Sequence, residues 1–164
     1  MIPPVKKILY ATDLSKNSIY AFDYAVDLAR RYGAQLLILN VIESISERAY
    51  GSGTEKVKQD QRKVSTSVIR KRLQRFCAVI AERDGVAVED LVAKILVRAG
   101  NPADEILKAA DEEECDLLFL GNHGKGLLAQ AFLESVSRSV STRARKPVLL
   151  VPLPADDASA WNEL

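Results

Sequence analysis

Residues 117–137 hold the densest candidate chemistry in the chain. Leu117-Leu118-Phe119-Leu120 runs into Gly121-Asn122-His123-Gly124, and Glu134-Ser135-Val136-Ser137 begins ten residues after Gly124. An apolar run ending in Gly-x-x-Gly reads as a buried strand opening into a loop whose backbone approaches a ligand closely. Glycine has no Cβ to hold the ligand off, and it reaches angles that turn successive N–H groups into one concavity. Helix-compatible residues from Ser135 onward put a hydroxyl and the free N–H groups of a helix N-terminus beside that loop, an arrangement that holds phosphate. Glu134 opposes it. A carboxylate about 4 Å from a phosphate costs about 1 kcal/mol per charge pair in water-like surroundings and several times that in a crevice. A monophosphate suffers less than a triphosphate, and Lys125 can supply positive charge.

Each of these residues also has a plainer reading. Gly121 and Gly124 can form a tight turn leaving a strand. Glu134 can pair with Arg138 one helical turn on, worth about 0.2–0.5 kcal/mol. Ser135 can be a helix N-cap, as can Asp13 after the first strand. His123 is the only histidine, and nothing in the sequence marks a partner base or nucleophile for it. Gly124-Lys125-Gly126-Leu127-Leu128-Ala129 fits a dinucleotide-binding pattern, but the strand that follows, Pro147 to Leu153, lacks the required acidic residue. Gly121 to Leu127 has no Lys-Ser/Thr ending of a P-loop. Arg98-Ala99-Gly100 offers no aspartate for a phospho-accepting receiver. No Ser-His-Asp set or metal-ligand cluster is visible, so neither a catalytic residue nor a metal ligand is predicted.

The elements that position these residues follow from hydrophobic patterning. Lys7 to Ala11 is a short strand stopped by Thr12-Asp13-Leu14-Ser15, and Ser18 to Tyr32 is a helix with Ala21, Tyr24, Ala25 and Leu28 at helical spacing, closed by Gly33. Leu36 to Ile42 is a second strand, apolar almost throughout, as in strands covered on both faces. Residues 44–54 form a polar, mobile loop. Glu55 to Arg83 is a long helix with Val57, Val64, Val68, Phe76 and Ile80 near one stripe, ended by Asp84-Gly85. Leu91 to Val97 is strand three. Asn101-Pro102 starts the next helix, Asn as cap and Pro at the first helical position, with Ile106, Leu107 and Ala110 on its apolar side. Asp116 to Leu120 is strand four, Ser135 to Arg145 a helix and Pro147 to Val151 strand five. Alternating strands and helices predict an α/β fold, a parallel sheet with helices on both faces. Ligands of such sheets bind beyond the carboxyl ends of the strands, where strand order reverses. Thr12, Asp13, Val41 and the glycine loop then converge on one crevice.

Composition narrows the function classes. The 164 residues fit one domain, 1–154, with a polar tail, 155–164, expected to fray. A net charge of +1 gives no broad field for nucleic acid or anionic lipid. No apolar run is long enough for a bilayer, and no signal peptide is read at Met1 to Lys7. Cys77 and Cys115 lack metal-ligand spacing and are expected to be buried free thiols in a reducing cytoplasm.

Lys7-Ile8-Leu9-Tyr10-Ala11-Thr12-Asp13-Leu14-Ser15, Leu37-Ile38-Leu39-Asn40-Val41, Gly100-Asn101-Pro102-Ala103 and Asp116-Leu117-Leu118-Phe119-Leu120-Gly121 resemble, in order, the motifs of the universal stress protein family. The resemblance runs from about Lys6 to Pro152. It implies a five-stranded doubly wound sheet of order 3-2-1-4-5 and a homodimer formed through the last strand. It also implies a non-enzymatic, cytoplasmic stress-response protein that senses an adenine nucleotide, ATP or AMP, with Mg accompanying the nucleotide. The matching positions are Ala11, Thr12, Asp13, Val41, Leu120, Gly121, Asn122, His123, Gly124, Ser135 and Val136. Asp13 matches the carboxylate at adenine, and Val41 an apolar contact to base or sugar. Glu134 stands where the family has its third glycine, which makes the phosphate loop partly degenerate. The alternative is an interaction protein of the same fold that has lost nucleotide binding and acts through its dimer and helix surfaces.

Overall fold

The computed structural model describes the main chain of residues 1–15, 18–43, 55–123 and 130–153, with side chains for the same residues except 55–65, 122–123, 130–135 and 153. The expected mobile loop, the tail from residue 155 and Gly124 lie outside the described residues. In chain order the elements are β1 (Lys7–Ala11), α1 (Ser18–Tyr32), β2 (Gln35–Glu43), α2 (Glu55–Asp84), α3 (Val88–Leu91), β3 (Lys94–Gly100), α4 (Pro102–Glu112), β4 (Leu117–His123), α5 (Gln130–Arg143) and β5 (Val148–Leu153). The strands form one five-stranded sheet of order β3-β2-β1-β4-β5, and every neighbouring pair is parallel. The chain therefore has the doubly wound α/β fold that its alternation of elements dictates.

Strand alternation sorts the core into two layers. Ile8, Tyr10, Leu36, Ile38, Leu117 and Phe119 face α1, α2 and α3, while Leu9, Leu37, Leu39, Leu118 and Leu120 face α4 and α5. In the first layer Phe22 of α1 packs its ring 4.9 Å from that of Phe76 of α2, and 5.6 Å from that of Tyr10. α1 buries Ala21, Phe22, Ala25, Val26 and Ala29. Its apolar face is thus turned from the predicted one, and Tyr24 is 47% exposed. In α2 the buried stripe is Leu73, Cys77, Ile80 and Ala81, whereas Val68, expected on it, is 51% exposed. Val57 and Val64 have side chains outside the described residues.

The helix stops are legible in the backbone. Gly33 at φ 62° and Gly85 at φ 66° follow α1 and α2, and Ala34 and Val86 donate back to Ala29 and Ala81 at 2.8 and 3.0 Å. These are the bonds of a left-handed helix terminus. α4 ends the same way, with Cys115 N donating to Ala110 O at 2.9 Å, but the left-handed residue there is Glu114 at φ 54°.

Several predicted boundaries are corrected, with β3 running on to Gly100 rather than ending at Val97 and β5 spanning Val148–Leu153 rather than Pro147 to Val151. Strand three begins at Lys94 rather than Leu91, because residues 88–91 form a helical turn closed by Val92 N on Val88 O at 2.9 Å. Strand four runs past Leu120 to His123, since Gly121, Asn122 and His123 pair with Val151, Pro152 and Leu153 of β5. Gly121 is a strand residue and not the turn leaving the strand. The last helix starts at Gln130, since Gln, Ala, Leu and Glu extend it toward its N-terminus. Ser135 lies more than a turn inside α5 and is neither its N-cap nor at its N-terminus.

The two sheet edges differ. α2 packs over β3, and the Arg70 guanidinium donates to the Ile95 carbonyl of that edge at 3.0 Å. β5 is the other edge, with β4 its one strand neighbour among the described residues.

Candidate functional site

β1 ends at Ala11, and the next residues are fixed by bonds to β2. Thr12 N donates to Leu39 O at 2.9 Å, and the Asn40 carboxamide donates to Thr12 O at 2.8 Å. The loop then holds itself. Thr12 Oγ1 accepts from Leu14 N at 3.1 Å and Asp13 Oδ1 from Ser15 N at 2.9 Å. These side-chain turns are the reason Thr and Asp suit this position. They hold Leu14 at φ 59°, a left-handed conformation that costs a branched residue about 1–2 kcal/mol. At the far side Ser15 O accepts from Ser18 N at 3.0 Å and Ser18 Oγ at 2.6 Å, and Tyr10 donates its hydroxyl to Ser18 O at 2.8 Å. Burial drives the Tyr10 phenol far above its ordinary pKa, so it remains a donor across the physiological range.

This loop forms one wall of a crevice at the carboxyl ends of β1, β2 and β4. About 670 Å³ of space free of protein atoms, partly continuous with solvent, lies between Ala11, Thr12, Asp13, Leu39, Val41, Leu120 and Gly121 of the strand ends and Ser18, Ala21, Pro102, Ile106, Val136 and Ser137 of the helices, above Tyr10. Strand order reverses here, between β1 and β4. The floor is apolar, and among the described lining residues Asp13 is the only charged one. A flat apolar body with a polar edge suits these walls, since small-molecule sites are apolar pockets with few placed polar groups. Of the predicted site residues, the structure brings together Ala11, Thr12, Asp13, Val41, Leu120, Gly121 and Val136. Asn122 and His123 continue β4 away from the floor, and Ser135 directly precedes Val136 on α5; their side chains, like that of Glu134, lie outside the described residues.

Sequence reasoning missed Ser18, Pro102, Ile106 and Ser137 as wall residues. Pro102 had a signal, since it sits in the Gly100-Asn101-Pro102-Ala103 motif. Its placement follows from the α4 start: Asn101 accepts from Asp104 N at 3.1 Å, and Gly100 has φ 152°. That backbone conformation is one that side chains with a Cβ rarely adopt, and a Cβ on Gly100 would also press on the Glu105 side chain, 3.0 Å from its Cγ, so glycine suits the turn into α4.

The thiols lie elsewhere. Cys77 and Cys115 are buried, and burial pushes both up to about 11, which keeps them protonated and unreactive. Among the described residues no group of His, Cys, Asp and Glu could hold a metal ion. No described helix is long and apolar enough to cross a membrane.

Comparison with known proteins agrees with this architecture. A universal stress protein from Thermus aquaticus, encoded in the QAH/OAS sulfhydrylase 3' region, is 34% identical over 149 residues, which span 89% of this chain and 98% of that protein. Universal stress protein MJ0577 of Methanocaldococcus jannaschii is 27% identical over 158 residues, 89% of this chain and 94% of its own length. The solved MJ0577 structure superposes with a TM-score of 0.65 at 25% identity, covering 93% of this chain and 99% of that one. A universal stress protein crystallised in complex with cAMP shares the fold, with a TM-score of 0.58 at 24% identity over 91% of this chain and 98% of that one. The family model for universal stress proteins matches residues 4–152, nearly the whole span of the sheet and its helices. By sequence and by fold, the chain belongs to the universal stress protein family.

Proposed function

We propose that the crevice binds an adenine nucleotide, ATP or AMP, and that the protein is a non-catalytic, homodimeric nucleotide sensor of the cytoplasm. One observation carries this reading: the Ala11–Asp13 loop, Val41, Leu120, Gly121 and Val136, far apart in sequence, line a single apolar crevice with one carboxylate at its rim. The base would lie on the apolar floor with Asp13 accepting from its exocyclic amine. The phosphates, with Mg for ATP, would extend toward the segment after Gly121. A fold relative that binds cAMP supports the nucleotide class. The dimer would form through β5, the edge strand beside β4.

Titration calorimetry of parent and Asp13→Ala protein with adenosine, AMP and Mg-ATP tests the site. The expected result is binding by the parent and a loss of about tenfold for all three ligands in the variant, the value of one charge-assisted hydrogen bond. No binding by the parent refutes the reading. It would favour the second reading, an interaction protein, which rests on Glu134 at the family's third glycine position.

A further inference from the structure

We infer that the exposed face of α2 docks an acidic helical segment of another protein. No Asp or Glu occurs between Asp60 and Glu82, a stretch holding Arg62, Lys63, Arg70, Lys71, Arg72 and Arg75, in a chain whose net charge is +1. Val68, Lys71, Arg72 and Arg75 follow i, i+3, i+4, i+7 spacing and are all exposed, forming one stripe about 10 Å long. Elsewhere on the described surface Arg31 pairs with Asp27, Lys94 with Glu113 and Arg143 with Asp104, while the exposed Lys6, Arg138 and Arg145, which enter no ion pair among the described residues, do not share one helical stripe. Even on α2, Arg83 is held by Asp23 and Asp84, and Arg70 bonds the Ile95 carbonyl. Among the described residues, Lys71, Arg72 and Arg75 enter no ion pair and no hydrogen bond.

Charge and shape select the occupant. The apolar stripe of α2 is spent on the sheet, with Leu73, Cys77 and Ile80 fully buried, so the helix has no face left to enter a lipid surface. A chain of net charge +1 lacks the extended field that nucleic-acid binding draws on. A helix presenting carboxylates at the same spacing would match Lys71, Arg72 and Arg75 one for one, with an apolar residue against Val68. No described residue of α2 lines the crevice at the strand ends.

The test is fluorescence anisotropy with a labelled helical peptide carrying Leu at i and Glu at i+3, i+4 and i+7, against the same peptide with Gln for Glu. The full-length protein should bind the Glu peptide, more weakly as salt rises from about 50 to about 300 mM, and the Gln peptide about tenfold less tightly. Lys71→Gln/Arg72→Gln/Arg75→Gln should weaken binding by about tenfold, the sum of three exposed pairs. Arg72→Gln alone should weaken it by about twofold and flatten the salt dependence, which keeps the test decisive if the triple variant fails to fold. A Kd for the Glu peptide weaker than about 1 mM, equal binding of the Gln peptide, or no effect of the substitutions would overturn the inference. So would tighter binding to a short DNA duplex or to phosphatidylserine vesicles.

Discussion

Asn40 is a buried polar side chain whose removal should be felt at the crevice and in global stability alike. Its carboxamide donates to the Thr12 carbonyl at 2.8 Å, and the residue is 7% exposed. Asn40→Leu keeps the volume and removes the donor, leaving that carbonyl unsatisfied at a cost of about 1–3 kcal/mol. For a chain of this size each kcal/mol moves the melting temperature by about 2–4 °C, so a central value of about 2 kcal/mol predicts a drop of about 4–8 °C. Urea unfolding should give the same loss with an unchanged slope. Asn40→Asp makes a sharper case, because an ionised carboxylate facing a carbonyl oxygen repels it, whereas the protonated acid can donate. The introduced carboxyl then has a folded pKa raised above its unfolded value of about 3.9, so the folded state holds the proton longer. Stability of that variant should be greatest below about pH 4 and fall as pH rises through the raised pKa. The reasoning fails if Asn40→Leu stays within about 0.5 kcal/mol of the parent, or if Asn40→Asp loses the same amount at every pH.

Glu114→Gly should stabilise the protein by about 0.5–1 kcal/mol in urea unfolding, because Glu114 is exposed and sits at φ 54°, where only glycine is unstrained. Asp116 accepts from the Lys6 and Lys7 main-chain N–H groups at 2.8 and 3.0 Å, the Lys6 bond being the larger cause of its lowered pKa. A depressed folded pKa gives stability that is present above the unfolded value near pH 4 and lost as pH falls through the folded one; Asp116→Asn should therefore flatten the acid limb of a stability–pH curve. If the crevice takes a nucleotide as proposed, Glu134→Gly, which restores the family's third glycine, should tighten Mg-ATP binding by about tenfold to a hundredfold and adenosine binding far less; calorimetry that finds equal gains would contradict the electrostatic reading.

Where a local signal and the tertiary outcome agree, the sequence was readable to the residue. β1 and α1 have the predicted bounds because Thr12-Asp13 and Gly33 are strong punctuation, and Asn101-Pro102 caps α4 as its residue types require. The misses have tertiary or length causes. Residues 88–91 make one helical turn, too short for any periodicity to register. Gly121 reads as a breaker, yet pairing with Val151 carries β4 through it. α5 already includes Gln130 to Glu134, residues with helical propensity, whereas Ser135 advertised a cap inside the helix. The crevice residues on strand ends were legible because motifs mark them. Ile106 and Ser137 were not, because a helix pattern says which face is apolar and not which end overhangs a sheet edge.

The unequal edges of the sheet bear on how many copies can assemble. A sheet with two bare margins can add strands at both ends without limit, which is the geometry of a fibre. Here the Arg70 side chain, reaching from α2, occupies the Ile95 carbonyl on one margin. A pairing through β5 is self-complementary, so it uses up the bare margin of both copies at once. The resulting continuous sheet would present only β3 at each end, and growth would stop at two chains. Replacing Arg70 would then change the stoichiometry of assembly rather than the strength of the pair.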